Sequence, residues 1–215
     1  MAAAAKPLLL AAKGGGSAIV ECLLTLAGIE YDAEYLDWDQ LRDPQGRLMA
    51  LNPLCEIPTL CLADGQVLTE SAAVTLWVGD QRPAAGLVPG AGDPRRATFL
   101  RWLVWLVAAV YPTFTYGDKP ERYVDGKAPG EQLRASTNAR REDAWRQFEQ
   151  AMAPAPWLLG AQLTALDLYM AVMATWRPGP AWFRTHCPKL HAVAAQVARI
   201  EALQPVWQRN EITPA

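Results

Sequence analysis

The spacing of apolar and polar positions changes character once along this chain, near residue 81. Before that point, short apolar runs alternate with helical patterning. Leu8 to Ala12 is a continuous apolar run, too short for a helix and expected as a strand. A helical period follows from Ser17 to Ala27, and Ile29 to Asp37 then has β character. Two further short strands, around Thr59 to Ala63 and Gln66 to Glu70, flank Asp64-Gly65, a hairpin signal. Ala72, Ala73, Leu76 and Trp77 open another helix. The order is β-α-β, then β-β-α.

From Gln81 to Gly92 the chain is rich in proline, glycine and alanine and carries almost no charge, as a linker does. Beyond it no strand signal appears. Asp93-Pro94 predicts a helix start, with Asp93 as the cap and Pro94 in the first turn. Phe99, Trp102, Leu103, Leu106, Val107 and Val110 keep the helical period, and Leu100, Val104 and Trp105 fill the opposite face. That pattern predicts a helix buried nearly all round, bent or ended at Pro112. A charged helix is expected from about Gly130 to Met152. A third starts at Thr164, where Thr164 and Asp167 have the spacing of a capping box and Leu163 and Leu168 that of a hydrophobic staple. The expected division is therefore an α/β unit over residues 1–81, a linker over 82–92 and an all-α unit over 93–215.

Composition narrows the classes of function. The 215 residues are 51% apolar with a net charge of −2, and the Arg95-Arg96 and Arg140-Arg141 pairs form no basic stripe. Nucleic acid is not an expected partner. The alanine-rich start, expected to fray, has too short an apolar stretch for a signal sequence. The uncharged run Trp102 to Gly117 falls short of the ~18 apolar residues of a membrane span. Cys22, Cys55, Cys61 and Cys187 show no C-x-x-C spacing, and Cys55 and Cys61 would lie roughly 20 Å apart in an extended chain. Free thiols in a cytoplasmic protein are the expectation. His186 and His191 flank Cys187, but no carboxylate accompanies them, so packing rather than a metal is expected there.

The densest chemistry lies between Asn52 and Ser71. Pro58 begins a strand, where an X–Pro bond can adopt cis and turn the Ile57 backbone outward as an edge for an extended ligand. Glu70-Ser71 opens a helix whose free N–H groups attract a carboxylate. This arrangement, N-P-x-x-x-I-P-x-L followed by L-T-E-S, resembles the glutathione transferase superfamily, as does the Thr164–Asp167 box after Trp157-Leu158-Leu159-Gly160. The resemblance spans about Lys6 to Asn210. It implies a thioredoxin-like N-terminal domain, a helical-bundle C-terminal domain and a homodimer. It also implies that Ile57 pairs with the cysteinyl part of glutathione while Glu70 and Ser71 grip its γ-glutamyl end. Cys55 departs from the family pattern, which has glycine there.

Enzymes of this superfamily ionise the thiol of glutathione, their substrate rather than a resident cofactor, for attack on a small apolar electrophile, commonly in detoxification. The sulfur needs donors just after the first strand. Here that place holds Lys13-Gly14-Gly15-Gly16-Ser17, with neither Tyr nor Cys. Gly16 and Ser17 are the expected glutathione contacts; Ser17 is either the catalytic donor or only the N-cap of the next helix, in which case the backbone amides of Gly14 to Ser17 hold the thiolate. Lys13 either adds positive potential or is a solvated surface lysine. Trp105, Tyr111, Phe114 and Tyr116 form either an acceptor pocket or an interdomain core. Two other functions stay open: glutathione-dependent disulfide reduction, with Cys55 as a substitute thiol, and a non-catalytic binding scaffold.

Overall fold

The computed structural model describes residues 6–214; the alanine-rich start expected to fray lies outside the described residues. Strands β1 (Leu8–Ala11), β2 (Asp32–Tyr35), β3 (Thr59–Cys61) and β4 (Val67–Leu68) form one sheet in the order β2-β1-β3-β4. β1 is central because Leu9, Leu10 and Ala11 are buried on both faces, which suits an uninterrupted apolar run. It pairs parallel with β2 and antiparallel with β3, which in turn pairs antiparallel with β4. The hairpin closes at Asp64-Gly65, where the Leu62 N–H donates to the Gln66 carbonyl at 2.7 Å.

Helix α1 (Ser17–Leu26) connects β1 to β2, the short α2 (Arg47–Leu51) precedes the Pro58 turn, and α3 (Ser71–Gln81) follows β4. Sequence patterning does not reveal α2. The remainder is helical: α4 (Arg96–Trp105), α5 (Tyr111–Asp118), α6 (Lys127–Ala151), α7 (Ala165–Met173), α8 (Pro180–His186), α9 (Pro188–Ala198) and α10 (Gln204–Asn210). The fold class is the expected one, a thioredoxin-like unit followed by a helical bundle.

One apolar core runs through both parts, joining Leu9, Ile19 and Leu23 to Phe99, Trp145, Leu166 and Met170. At its centre α7 is completely buried. Its start is held as the capping box predicts: the Thr164 N–H and hydroxyl donate to one Asp167 oxygen at 2.7 and 3.1 Å. The Leu158 N–H donates to the other at 2.8 Å. Burial raises the Asp167 carboxyl above its ordinary range, against these donors. The linker is fastened to the same point, because the Ala165 N–H donates to the Leu87 carbonyl at 2.8 Å.

Helices α4 and α5 correct the expectation for this region. They form one continuous run, Arg96–Asp118, joined by a π-helical turn at Leu106–Val110. By length and composition this run could cross a membrane, which the count of uncharged residues did not suggest; here it lies against α6 and α7. Pro112 neither ends nor breaks it. Proline has no N–H for the helical ladder, and the π turn just ahead is where the helix accommodates that lost bond. Nor is the run buried all round: Val104 is 57% exposed. Asp93 acts one turn earlier than expected, accepting from the Arg95 N–H at 2.8 Å, so α4 starts at Arg96.

Candidate active site

The loop from Ala12 to Gly16 turns the chain from β1 into α1, and two indoles fix its carbonyls. Trp38 donates to the Lys13 carbonyl at 3.0 Å, and Trp176, from the segment after α7, donates to the Gly14 carbonyl at 2.7 Å. Two of its glycines are required by close approach. A Cβ on Gly15 would stand 2.8 Å from Ile57 Cδ1, and one on Gly16 would stand 2.7 Å from the Tyr111 hydroxyl.

Ser17 does not cap the helix, and its hydroxyl is turned inward. Gly16 is the residue ahead of the helix and Ser17 the first inside it. Its fully buried hydroxyl donates to the Ala12 carbonyl and accepts from the Ala12 N–H, both at 3.2 Å. The side chain therefore closes the strand-to-helix corner from within. Lys13 reaches out to Glu211 at 2.6 Å on the surface.

Across from the loop, the Ile57–Pro58 bond is cis, as the sequence suggests. Asn52 holds the approach to it, donating to the Glu56 carbonyl and to the Thr59 hydroxyl, each at 3.0 Å. Cys55 sits at φ +55°, in the left-handed region, which accounts for glycine in the family pattern. Its thiol is buried against the Met49 sulfur at 3.5 Å. Glu70 also has a positive φ, +63°, immediately before α3. A non-glycine residue held there by its surroundings is a hallmark of sites where geometry serves a ligand.

These elements meet in one cleft. Ile57, Pro58, Glu56, Glu70 and Ser71 line one wall; Val107, Tyr111, Pro112 and Thr115 line the other. Behind Ser71 lies a set of hydroxyls. Thr75 donates to the Ser71 carbonyl at 2.8 Å and lies 3.2 Å from the Tyr169 hydroxyl. Burial raises Tyr169 to about 12.

Of the four residues expected to form an acceptor pocket, only Tyr111 lines this cleft. Trp105 faces a separate groove with Arg140 and Gln147. Phe114 is buried between Trp176, edge-on at 5.1 Å, and the Arg141 guanidinium, 4.1 Å from its ring centre. Burial draws Arg141 down to about 10. Tyr116 is exposed and packs edge-on against Tyr123. His186 and Cys187 lie apart from the cleft, with His186 against Trp182 and Cys187 buried. Sequence reasoning missed Asn52, Trp38, Trp176 and Tyr169. The Asn52-Pro53 pair was a local signal for the first of them; the others act through contacts distant in sequence.

A second polar cluster lies one turn further along α1. Glu21 is fully buried and accepts from the Tyr35 hydroxyl at 2.7 Å, the Tyr31 hydroxyl at 3.2 Å, Asn210 Nδ2 at 2.7 Å and Arg209 Nη2 at 3.1 Å. It fastens α10 to the sheet-bearing half.

Comparison with known proteins bears on the family. Residues 17–81 match the family model described as glutathione S-transferase, N-terminal domain. The chain is 42% identical over 200 residues to the uncharacterized GST-like protein YncG of Escherichia coli (strain K12), covering 93% of this chain and 96% of that one. It is 25% identical over 130 residues to glutathione S-transferase GstA of Escherichia coli O157:H7, covering 59% of this chain and 60% of GstA. Among solved structures it is similar to a glutathione transferase homologue from Sulfitobacter with bound glutathione. That match has a TM-score of 0.85 at 21% identity, over 95% of this chain and 98% of that one, a likeness of fold.

Proposed function

The chain belongs to the glutathione transferase superfamily, and from that premise we propose that it binds glutathione in the cleft between its two halves and ionises the thiol for attack on a small apolar electrophile. The observation that carries this reading is the convergence of Ile57, Glu70 and Ser71 on one wall of a single cleft. The Ile57 backbone offers an edge to the cysteinyl amide. The Glu70 carboxylate matches the γ-glutamyl ammonium, while the Ser71 hydroxyl and the free N–H groups of α3 match its carboxylate.

Ionisation is the catalytic task. A thiol with a pKa near ~8.5 is only a few per cent thiolate at neutral pH, and lowering it by ~2 units makes the thiolate the majority form. The acceptor side is bounded by Val107, Pro112 and Thr115 together with Tyr111, instead of the wider aromatic set. Disulfide reduction through Cys55 is disfavoured by the burial of that thiol against Met49. The same reading includes the division at residues 82–92, a cytoplasmic setting and a detoxifying role. It also includes a homodimer.

Calorimetric titration tests the binding claim. Ser71→Ala should weaken glutathione by about 1.5–3 kcal/mol, the range for a hydrogen bond to a charged group. Equal affinities would remove Ser71 from the site. Glutathione binding without turnover of any electrophile would make the chain a scaffold.

A further inference from the structure

The start of α1 lacks a side-chain donor for a thiolate, because the Ser17 hydroxyl is committed to Ala12. Glu56 and Glu70 line the cleft, and negative charge near a thiol opposes its ionisation. Lys13 is drawn away to Glu211. A neutral donor suits such a thiolate, and besides the backbone N–H groups at the start of α1 the cleft wall has a side-chain one in Tyr111.

The Tyr111 hydroxyl is buried and has no hydrogen-bond partner among the described residues. It lies at the mouth of α1, 2.7 Å from the position of a Cβ on Gly16, with the Ser71 hydroxyl beside it. A buried donor left unmet costs stability, and an anionic acceptor would recover that cost. Other buried polar atoms without partners, on Arg141, Trp145, Trp207 and Asn210, belong to residues that do not line the cleft.

The phenol is also aimed. The π turn at Leu106–Val110 ends at Tyr111, and an extra residue in a helical turn rotates the residues after it by about 100° relative to a regular helix. Trp176 packs edge-on against the Tyr111 ring at 5.6 Å while its indole holds the Gly14 carbonyl. One side chain thus sets both the loop and the phenol, which is how a donor is preorganised. Burial, and then the neighbouring Tyr169, push the Tyr111 phenol well above its ordinary value, so it remains a proton donor.

We propose that the Tyr111 hydroxyl, reaching across from the helical half, donates a hydrogen bond to the sulfur of bound glutathione and holds it as the thiolate. The proposal rests on the glutathione reading above. The thiol proton passes to bulk water; Tyr111 keeps its own, and no covalent bond to the protein forms.

The test is the ultraviolet absorbance of the bound thiolate against pH, in the wild type, in Tyr111→Phe and in protein carrying 3-fluorotyrosine at position 111. The wild type should titrate about two units below free glutathione. Tyr111→Phe should lose most of that shift while its affinity well below the thiol pKa stays unchanged. The fluorinated phenol, a stronger donor, should move the titration lower still. A full shift retained in Tyr111→Phe overturns the proposal. So does an equal loss of affinity at every pH with the shift intact, which would assign the hydroxyl to Ser71. A wild type that binds no glutathione ends the functional reading itself, and the proposal with it.

Discussion

Two polar regions lie about one turn apart on α1, and each brings residues of the helical half onto the sheet-bearing half. At Glu21 the carboxylate is fully met by two phenols, an amide and a guanidinium, although the Oδ1 of that amide, on Asn210, has no partner among the described residues. At the helix start the equivalent contact is open, because Tyr111 brings a buried hydroxyl to Gly16 and finds no acceptor among the described residues. Burial of a polar group is tolerated where its partners are complete. The met carboxylate therefore marks the Glu21 cluster as a clasp that holds α10, and an unmet donor on the cleft wall marks the helix start as a place completed by a ligand.

The comparison breaks most visibly at Glu21. Glu21→Ala removes the acceptor shared by four side chains and should cost about 3 kcal/mol in urea unfolding. That value is the lower end of the range for a buried pair, because Arg209 is 42% exposed and regains water. The titration of bound glutathione in the folded protein should not move. A loss below 1 kcal/mol would show the clasp to be incidental. A smaller effect of opposite sign sharpens the contrast. Tyr111→Phe deletes an oxygen that has no partner among the described residues, so the unliganded protein should be as stable as the wild type or up to about 1 kcal/mol more stable. A destabilisation of 1 kcal/mol or more in thermal unfolding would mean that the hydroxyl already has a partner and is structural.

Legibility from sequence divides along the same line. The wall formed by Ile57, Glu70 and Ser71 is readable because its signals are local: a proline at a strand start, a two-residue turn, and an acidic-Ser pair before a helical period. The alternation of short apolar runs likewise revealed the four strands, α1 and α3, though not the short α2. The opposite wall was only partly readable. A regular helical period carries Trp105 two turns under the aromatic cluster, but the π turn between Trp105 and Tyr111 changes the register. Tyr111 is directed into the cleft, Phe114 lies under Trp176 and Tyr116 faces outward. The direction of the Ser17 hydroxyl was unreadable for a different reason. A serine beside a helix start can cap, donate outward or fold back, and sequence does not distinguish these; here the hydroxyl folds back to Ala12. Contacts such as Trp176 to Gly14 and Arg209 to Glu21 bridge most of the chain, and no short-range pattern announces them.

The central claim is that Ser71 and Tyr111, from opposite halves, together complete one glutathione site. A crystal structure of the glutathione complex tests it most directly. The account expects the γ-glutamyl carboxylate on Ser71 and the start of α3, with the sulfur within about 3.5 Å of the Tyr111 hydroxyl. Glutathione bound in the groove beside Trp105 and Arg140, or bound in the cleft with its sulfur turned away from Tyr111, would contradict it.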